Sequence, residues 1–152
     1  MNAMVTKSEL EAELHNAMRS GDEVRKRTLR MILSSVKLAE VERRGELDEA
    51  TMRAVLQREV KTRQETIADA EKARRPDLAL AAQDELEIVQ AYLPAPLSAE
   101  ELEQTVRQSI ALTGAAGPQD MGKVMKDLMP RLQGRADGKT VNETVRRLLN
   151  PA

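Results

Sequence analysis

The chain has 152 residues, 32% of them charged and 41% apolar, yet Phe, Trp and Cys are absent and there is a single tyrosine. With no Cys and His15 as the one histidine, zinc-finger, thiol-nucleophile, disulfide and haem-attachment chemistries are excluded, and a histidine-based metal site would need ligands from a second chain. A net charge of −1 gives no global field that draws phosphate, and one aromatic supplies no stacking platform for bases, so any nucleic-acid contact must be made through charge and shape.

The interior has to be filled by Leu, Ala, Val, Ile and eight Met, an alphabet of helix formers. Gly and Pro divide the chain into stretches whose apolar residues recur at steps of three and four, and no stretch alternates with period two, so the fold class expected is all-α. The segment Met1-Asn2-Ala3-Met4-Val5 has no apolar run of signal-peptide length, and nowhere do eighteen apolar residues follow one another. The expectation is a soluble cytoplasmic protein without membrane contact.

The first helix is predicted from Thr6 or Ser8, each with a glutamate three positions on (Glu9, Glu11), through Leu10, Leu14, Ala17 and Met18 to a stop at Gly21. A second opens at Asp22, presents Leu29, Ile32, Leu33, Val36 and Ala39, and is expected to close at Gly45. Asp48 caps a third with Met52, Val55, Leu56, Val60 and Ile67, whose stripe thins toward Arg74-Arg75-Pro76, as in a helix projecting from the core. The fourth runs from Asp77 through Leu78, Ala82, Leu86 and Val89 to Tyr92-Leu93. Pro94-Ala95-Pro96 then forbids helix continuation, because each proline lacks an amide donor and pushes its predecessor out of the α region. The expected division is an N-terminal helical subdomain over 1–93, a Pro-containing linker over 94–97 and a small tail domain over 98–152.

In the tail, Ser98 with Glu101 forms another capping box ahead of Leu102, Val106 and Ile110, with a stop at Gly114. Gly117-Pro118 turns the chain, and Asp120 is expected to cap a sixth helix with Met121, Val124, Met125, Leu128 and Leu132 inward, which Pro130 kinks or shortens. A last helix is expected with Thr140 as cap, Glu143 at its third position, and Val141, Val145, Leu148 and Leu149 inward. Three short helices therefore make a small bundle.

The string Gly134-Arg135-Ala136-Asp137-Gly138-Lys139-Thr140 ends like a nucleotide-binding P-loop but is not one. Its glycine spacing is one residue short, and a helix precedes it where the motif needs a strand. Its glycines are expected in the left-handed region, one stopping helix six and one turning into helix seven. The start of helix seven offers backbone amides and a positive dipole end, with Lys139 just before it and Arg135 four residues earlier. Asn142 and Arg146, spaced i, i+4, share a face opposite Val141 and Val145, with Arg147 beside them. From Met121 on there are seven basic residues (Lys123, Lys126, Arg131, Arg135, Lys139, Arg146, Arg147) against three acidic (Asp127, Asp137, Glu143), a local +4 that suits either phosphate contact or an ordinary solvated face.

A second basic cluster, Arg25, Lys26, Arg27, Arg30 and Lys37, falls mostly at the start of helix two, where positive charge opposes the macrodipole. Either Asp22 and Glu23 or a bound polyanion offsets it. His15 reads as a surface or partly buried histidine, since no nucleophile is in sequence reach. Ser34-Ser35 lacks the elbow or lysine arrangement of an amidase nucleophile. Glu59 and Arg63, spaced i, i+4, read as a surface pair, and the methionines of helix six as core. No catalytic constellation exists within one chain, no cofactor is called for, and a two-part helical adaptor results.

Gly122-Lys123-Val124-Met125, Gly134-Arg135-Ala136-Asp137, Val141-Asn142-Glu143 and Leu148-Leu149 resemble the tail of the GatB/YqeY family, which includes the B subunit of the tRNA-dependent amidotransferase. Arg30-Met31-Ile32-Leu33, Glu42-Arg43-Arg44-Gly45-Glu46-Leu47 and Tyr92-Leu93-Pro94 resemble its free-standing YqeY branch. The resemblance implies an all-helical protein whose small C-terminal domain is the part that, in the B subunit, helps hold the tRNA at its outer corner, at a distance from the site of the chemistry. It maps that role onto Lys123, Arg135, Lys139, Asn142 and Arg146, and Lys126 and Arg147 share their basic surroundings. The B subunit's ATP- and metal-binding cradle has no counterpart here, so the family's glutamine-dependent carbon–nitrogen ligase activity is not expected of this chain alone. The reading is a non-catalytic, tRNA-associated module; its rivals are a scaffold that docks a protein through the N-terminal helices and an amidotransferase accessory factor.

Overall fold

In the computed structural model the chain is all-helical, with seven α-helices and one short 3-10 turn among the residues it describes, 4–150. Residues 1–3, the front of the segment read for a leader, lie outside them. No described helix is long and apolar enough to cross a membrane. Two compact units, Met1–Pro94 and Ala95–Ala152, each have a hydrophobic core of their own.

The first unit holds α1 (Lys7–Ser20), α2 (Glu23–Arg43), α3 (Glu49–Lys72) and α4 (Pro76–Gln90). The first helix starts at Thr6, not Ser8: the Thr6 hydroxyl accepts the Glu9 amide at 3.1 Å, and the Glu9 carboxylate accepts the Thr6 amide at 3.0 Å. Leu10, Ala17, Leu29, Ile32, Val36, Met52, Leu56 and Val89 form the centre of the core, with Leu14, Val60, Tyr92 and Leu93 packed against it. Met18 and Leu78 were expected inward, but both are about half exposed, at 48% and 47%. Each is one step off its helix's buried stripe, Leu10-Leu14-Ala17 in α1 and Ala82-Leu86-Val89 in α4.

The second helix ends one residue before the glycine predicted to stop it. Arg44 takes the left-handed conformation (φ 62°), and Gly45 follows, its amide donating to the Glu40 carbonyl at 3.1 Å. Asp48 caps α3 by accepting the Thr51 amide at 2.8 Å, and Arg43 lies 2.9 Å from its carboxylate. The Thr51 hydroxyl and amide, helped by Arg43, hold the Asp48 carboxyl down at about 2. A folded value below the ordinary ~3.9 means that the cap's contribution is complete above that value and lost as pH falls toward 2. Asp48→Asn is therefore expected to flatten the fall in urea midpoint between about pH 5 and pH 2; an unchanged pH profile would remove Asp48 from the account.

The thinning stripe of α3 does not make it a lone projecting helix. Its buried face continues through Arg63 and Ala70, while α4 folds back on α3 and buries its own Ala82 and Leu86. The charged Arg63 and the small Ala70 merely look like a fading stripe in sequence. A proline at the first position of α4 and the left-handed Arg74 make the reversal between the two helices.

The second unit holds α5 (Ala99–Thr113), the 3-10 turn Pro118–Asp120, α6 (Met121–Leu132) and α7 (Gly138–Leu149) around Leu102, Val106, Val124, Leu128, Leu132, Val141, Val145 and Leu149. The Ser98–Glu101 capping box forms, and Gly114 ends α5 in the left-handed region (φ 68°). Asp120 stands at the N-cap position of α6 as expected but makes no side-chain cap there. Lying in the 3-10 turn, it directs its carboxylate back to the Ala116 amide at 2.8 Å. Pro130 sits in the last turn of α6, where the helix continues two residues to Leu132. Part of the segment read as a linker is built into this unit: the Leu97 amide donates to the Arg135 carbonyl, and Arg135 Nε donates to the Ala95 carbonyl, both at 2.8 Å.

Candidate nucleic-acid interface

The predicted contact residues sit on α6, on α7 and in the turn between them. On α6 the buried positions Val124, Leu128 and Leu132 recur every fourth residue, which places Lys123 and Lys126 on the exposed side. On α7, Val141, Val145 and Leu149 point inward, while Lys139, Asn142 and Arg146, at steps of three and four, form an exposed stripe. The two helices pack together, so both exposed sides belong to one rigid bundle.

The α7 N-terminus differs from the expectation. Asp137, not Thr140, is the cap: its carboxylate accepts the Thr140 amide at 2.9 Å and the Thr140 hydroxyl at 2.7 Å. Those two bonds hold its carboxyl below the ordinary range. Lys139 is therefore inside the first turn, and the helix end already carries an anion of its own. Phosphate capture by bare α7 amides drops out. Of the two glycines, Gly134 has φ 73° and follows a left-handed Gln133, whereas Gly138 is an ordinary helical residue. Asp137→Ala should destabilise the tail unit by ~1 kcal/mol and speed amide hydrogen exchange at Thr140 and Val141; unchanged exchange would show that the cap does not hold this turn.

The seven predicted residues divide by what already occupies them. Lys123, Lys126, Lys139 and Arg146 are exposed and have no ion-pair or hydrogen-bond partner among the described residues. Arg135 is half-buried and holds the Ala95 carbonyl, so its guanidinium serves the fold. Arg147 reaches Glu103 of α5 at 3.3 Å, which Arg107 also engages at 2.8 Å. The Asn142 amide donates to the Gly138 carbonyl at 3.3 Å. Glu143, one turn after Lys139, is an exposed acid beside the stripe and weakens the local field.

The helix-two cluster is largely answered within its own unit. Arg25 donates to the Tyr92 hydroxyl at 2.8 Å and lies 5.8 Å from its ring centre; Lys26 pairs with Glu23 at 2.8 Å, and Arg27 lies 4.0 Å from Glu85. Arg30 and Lys37 stay exposed and unpaired among the described residues. His15 is exposed on α1, the Ser34 hydroxyl donates to the Arg30 carbonyl, and Ser35 donates to Glu59. No group of three His, Asp or Glu among the described residues is placed to hold a metal.

One constellation was misread. Arg63 is buried and Glu59 half-buried, so they are not a surface pair: Arg63 Nη1 donates to the Glu59 carboxylate at 2.6 Å and to its backbone carbonyl at 3.1 Å. Arg63 Nη2 lies 3.9 Å from Glu85 and 3.8 Å from the Met31 sulfur, which ties α2, α3 and α4 together. The signal was available, since Arg63 follows Leu56 by seven residues and precedes Ala70 by seven on one buried row.

A family model described as Yqey-like protein matches residues 7–149, nearly the whole described chain. The chain belongs to the YqeY-like family. Among curated proteins it is similar to three named Altered inheritance of mitochondria protein 41, mitochondrial. The relative from Vanderwaltozyma polyspora is 33% identical over 85 residues, 55% of this chain and 46% of that protein. The one from Lachancea thermotolerans is 32% identical over 105 residues, 68% and 56% of the two chains, and the one from Pyrenophora tritici-repentis 27% over 145 residues, 92% and 78%. The matched part thus spans about half the length of the first two relatives. For this YqeY-like protein the family extends across both helical units.

Proposed function

We propose that this YqeY-like protein is a non-catalytic accessory module whose C-terminal unit contacts the phosphate backbone of a folded RNA of the tRNA class. The observation that carries the reading is the set of four exposed, unpartnered cations, Lys123 and Lys126 on α6 with Lys139 and Arg146 on α7. Unpaired cations on a rigid bundle meet phosphates without first breaking an internal ion pair. The resemblance of this unit to the amidotransferase B-subunit tail supports the same ligand class. Asn142 adds an amide on the α7 stripe, and Arg135 and Arg147 keep the neighbouring segments in place. With no aromatic in the second unit, bases have nothing to stack on, and recognition rests on the spacing of phosphates in a folded molecule.

The experiment is competition against labelled tRNA bound to the full chain. Unlabelled folded tRNA should displace it, and an unstructured RNA of the same length should compete much more weakly. Equal competition by both would rule out recognition of a folded backbone.

A further inference from the structure

Most of the outer face of α2 is exposed, although in its N-terminal half the Met31 sulfur lies 3.8 Å from Arg63 and Arg27 lies 4.0 Å from Glu85. Opposite the buried Leu29, Ile32, Leu33 and Val36, three parallel rows of exposed residues run along the helix. The seven-residue spacing of Arg30 and Lys37 makes one flank basic, and that of Met31 and Leu38 makes the other apolar. Arg27, Ser34 and Val41 run between them. Met31, Leu38 and Val41 are 47%, 61% and 73% exposed, more exposed large apolar residues than any other described helix carries. Toward its N-terminal end this face forms an open, shallow depression of ≈ 400 Å³ lined by Lys26, Arg27, Arg30, Met31 and Ser34 together with Glu23.

We infer that this face is a docking groove for an amphipathic helix of a partner protein, with the partner's apolar ridge on Met31, Leu38 and Val41 and its acidic flank along Arg30 and Lys37. The charge pattern selects this occupant. A second copy fits badly: an antiparallel pair centred on Ser34 sets each flank against its own counterpart, bringing Arg30 toward Lys37 of the other copy, and a parallel pair sets the basic row on the apolar one. RNA would satisfy the basic row but gains nothing from burying Leu38 and Val41. An anionic membrane meets Glu42 just past Val41, and three aliphatic residues are a small area for insertion. A helix with Asp or Glu on one side only satisfies both rows, and small Ser34 at the centre lets the two backbones approach.

The groove lies on the first unit and the RNA face on the second, so their failures are distinguishable. The test places a photo-crosslinking residue at Ser34 of the full chain, irradiates in the native cell, and maps the captured peptide. The expected result is one protein segment of helical periodicity with acidic residues along one side of its apolar stripe. Arg30→Glu with Lys37→Glu, and separately Leu38→Ser with Val41→Ser, should each lower that capture about tenfold or more. All four positions are exposed, and an unchanged melting curve confirms that each variant folds. Capture of RNA, lipid or a second copy, capture of a segment without an acidic flank, or capture no greater than from the same residue at Lys61 would overturn the proposal.

Discussion

Arg63→Ala is expected to destabilise the first unit by ~3–5 kcal/mol, although arginine at the middle of a charged helix looks dispensable in sequence. The residue is 3% exposed, and its guanidinium is the counter-ion that Glu59 and Glu85 meet as α4 folds onto α3. Removing it leaves the Glu59 carboxylate, 14% exposed, with no counter-ion among the described residues and only the neutral Ser35 hydroxyl donating to it. An unpaired buried carboxylate is costly in a way that an exposed i, i+4 pair, at about 0.3–0.5 kcal/mol, is not. Tyr92, the one tyrosine, packs against the core of this unit, so its fluorescence in a urea titration reports the right transition. Arg63→Met with Glu59→Met should recover much of the loss, because the pair is then replaced rather than broken. A loss below about 1 kcal/mol for Arg63→Ala would mean that water, not Arg63, satisfies Glu59.

Reversing the four unpartnered cations together, Lys123→Glu, Lys126→Glu, Lys139→Glu and Arg146→Glu, is expected to lower tRNA affinity by ~10²-fold or more near physiological salt. All four are exposed and none holds another side chain or a carbonyl among the described residues, so the bundle keeps its melting temperature while its field changes sign. Arg135 is the wrong probe despite its place in the family-like string. Its side chain and its carbonyl both hold the segment from Ala95 to Leu97, so a charge reversal there would disturb folding and binding together. Arg147 has the same drawback through Glu103.

Helix number, core stripes and most caps were legible because they are local. Thr6, Asp22, Asp48 and Ser98 cap their helices as their spacing to the first turn requires. Where two residues competed for one role, spacing alone did not decide. Asp137 and Thr140 are both good caps three residues apart, and the helix takes the earlier one because a charged carboxylate meets its positive end and three more residues gain helical bonds. Asp120 lost its cap because a 3-10 turn pointed its carboxylate elsewhere. Arg44 rather than Gly45 is left-handed, although a glycine would take that conformation at less cost.

The proposed contact residues are legible as a set of residue types but not as a surface. Sequence counts seven basic residues from Met121 on; packing decides which are already occupied, and no local pattern reveals that Arg135 reaches back 40 residues to a carbonyl. The helix-two cluster shows the same limit. Lys26 is answered locally by Glu23, as the sequence allows, whereas Arg25 meets Glu13 and Tyr92 and Arg27 meets Glu85, partners that only the fold brings near.

The most direct test of the central claim is the salt dependence of tRNA binding for the wild type and the four-residue reversal. Four neutralised phosphates predict a slope of log affinity against log salt of about −3 for the wild type, collapsing toward zero in the variant, while Lys61→Glu with Lys72→Glu on α3 leaves the slope unchanged. A wild-type slope near zero, or one that the reversal does not alter, would contradict it.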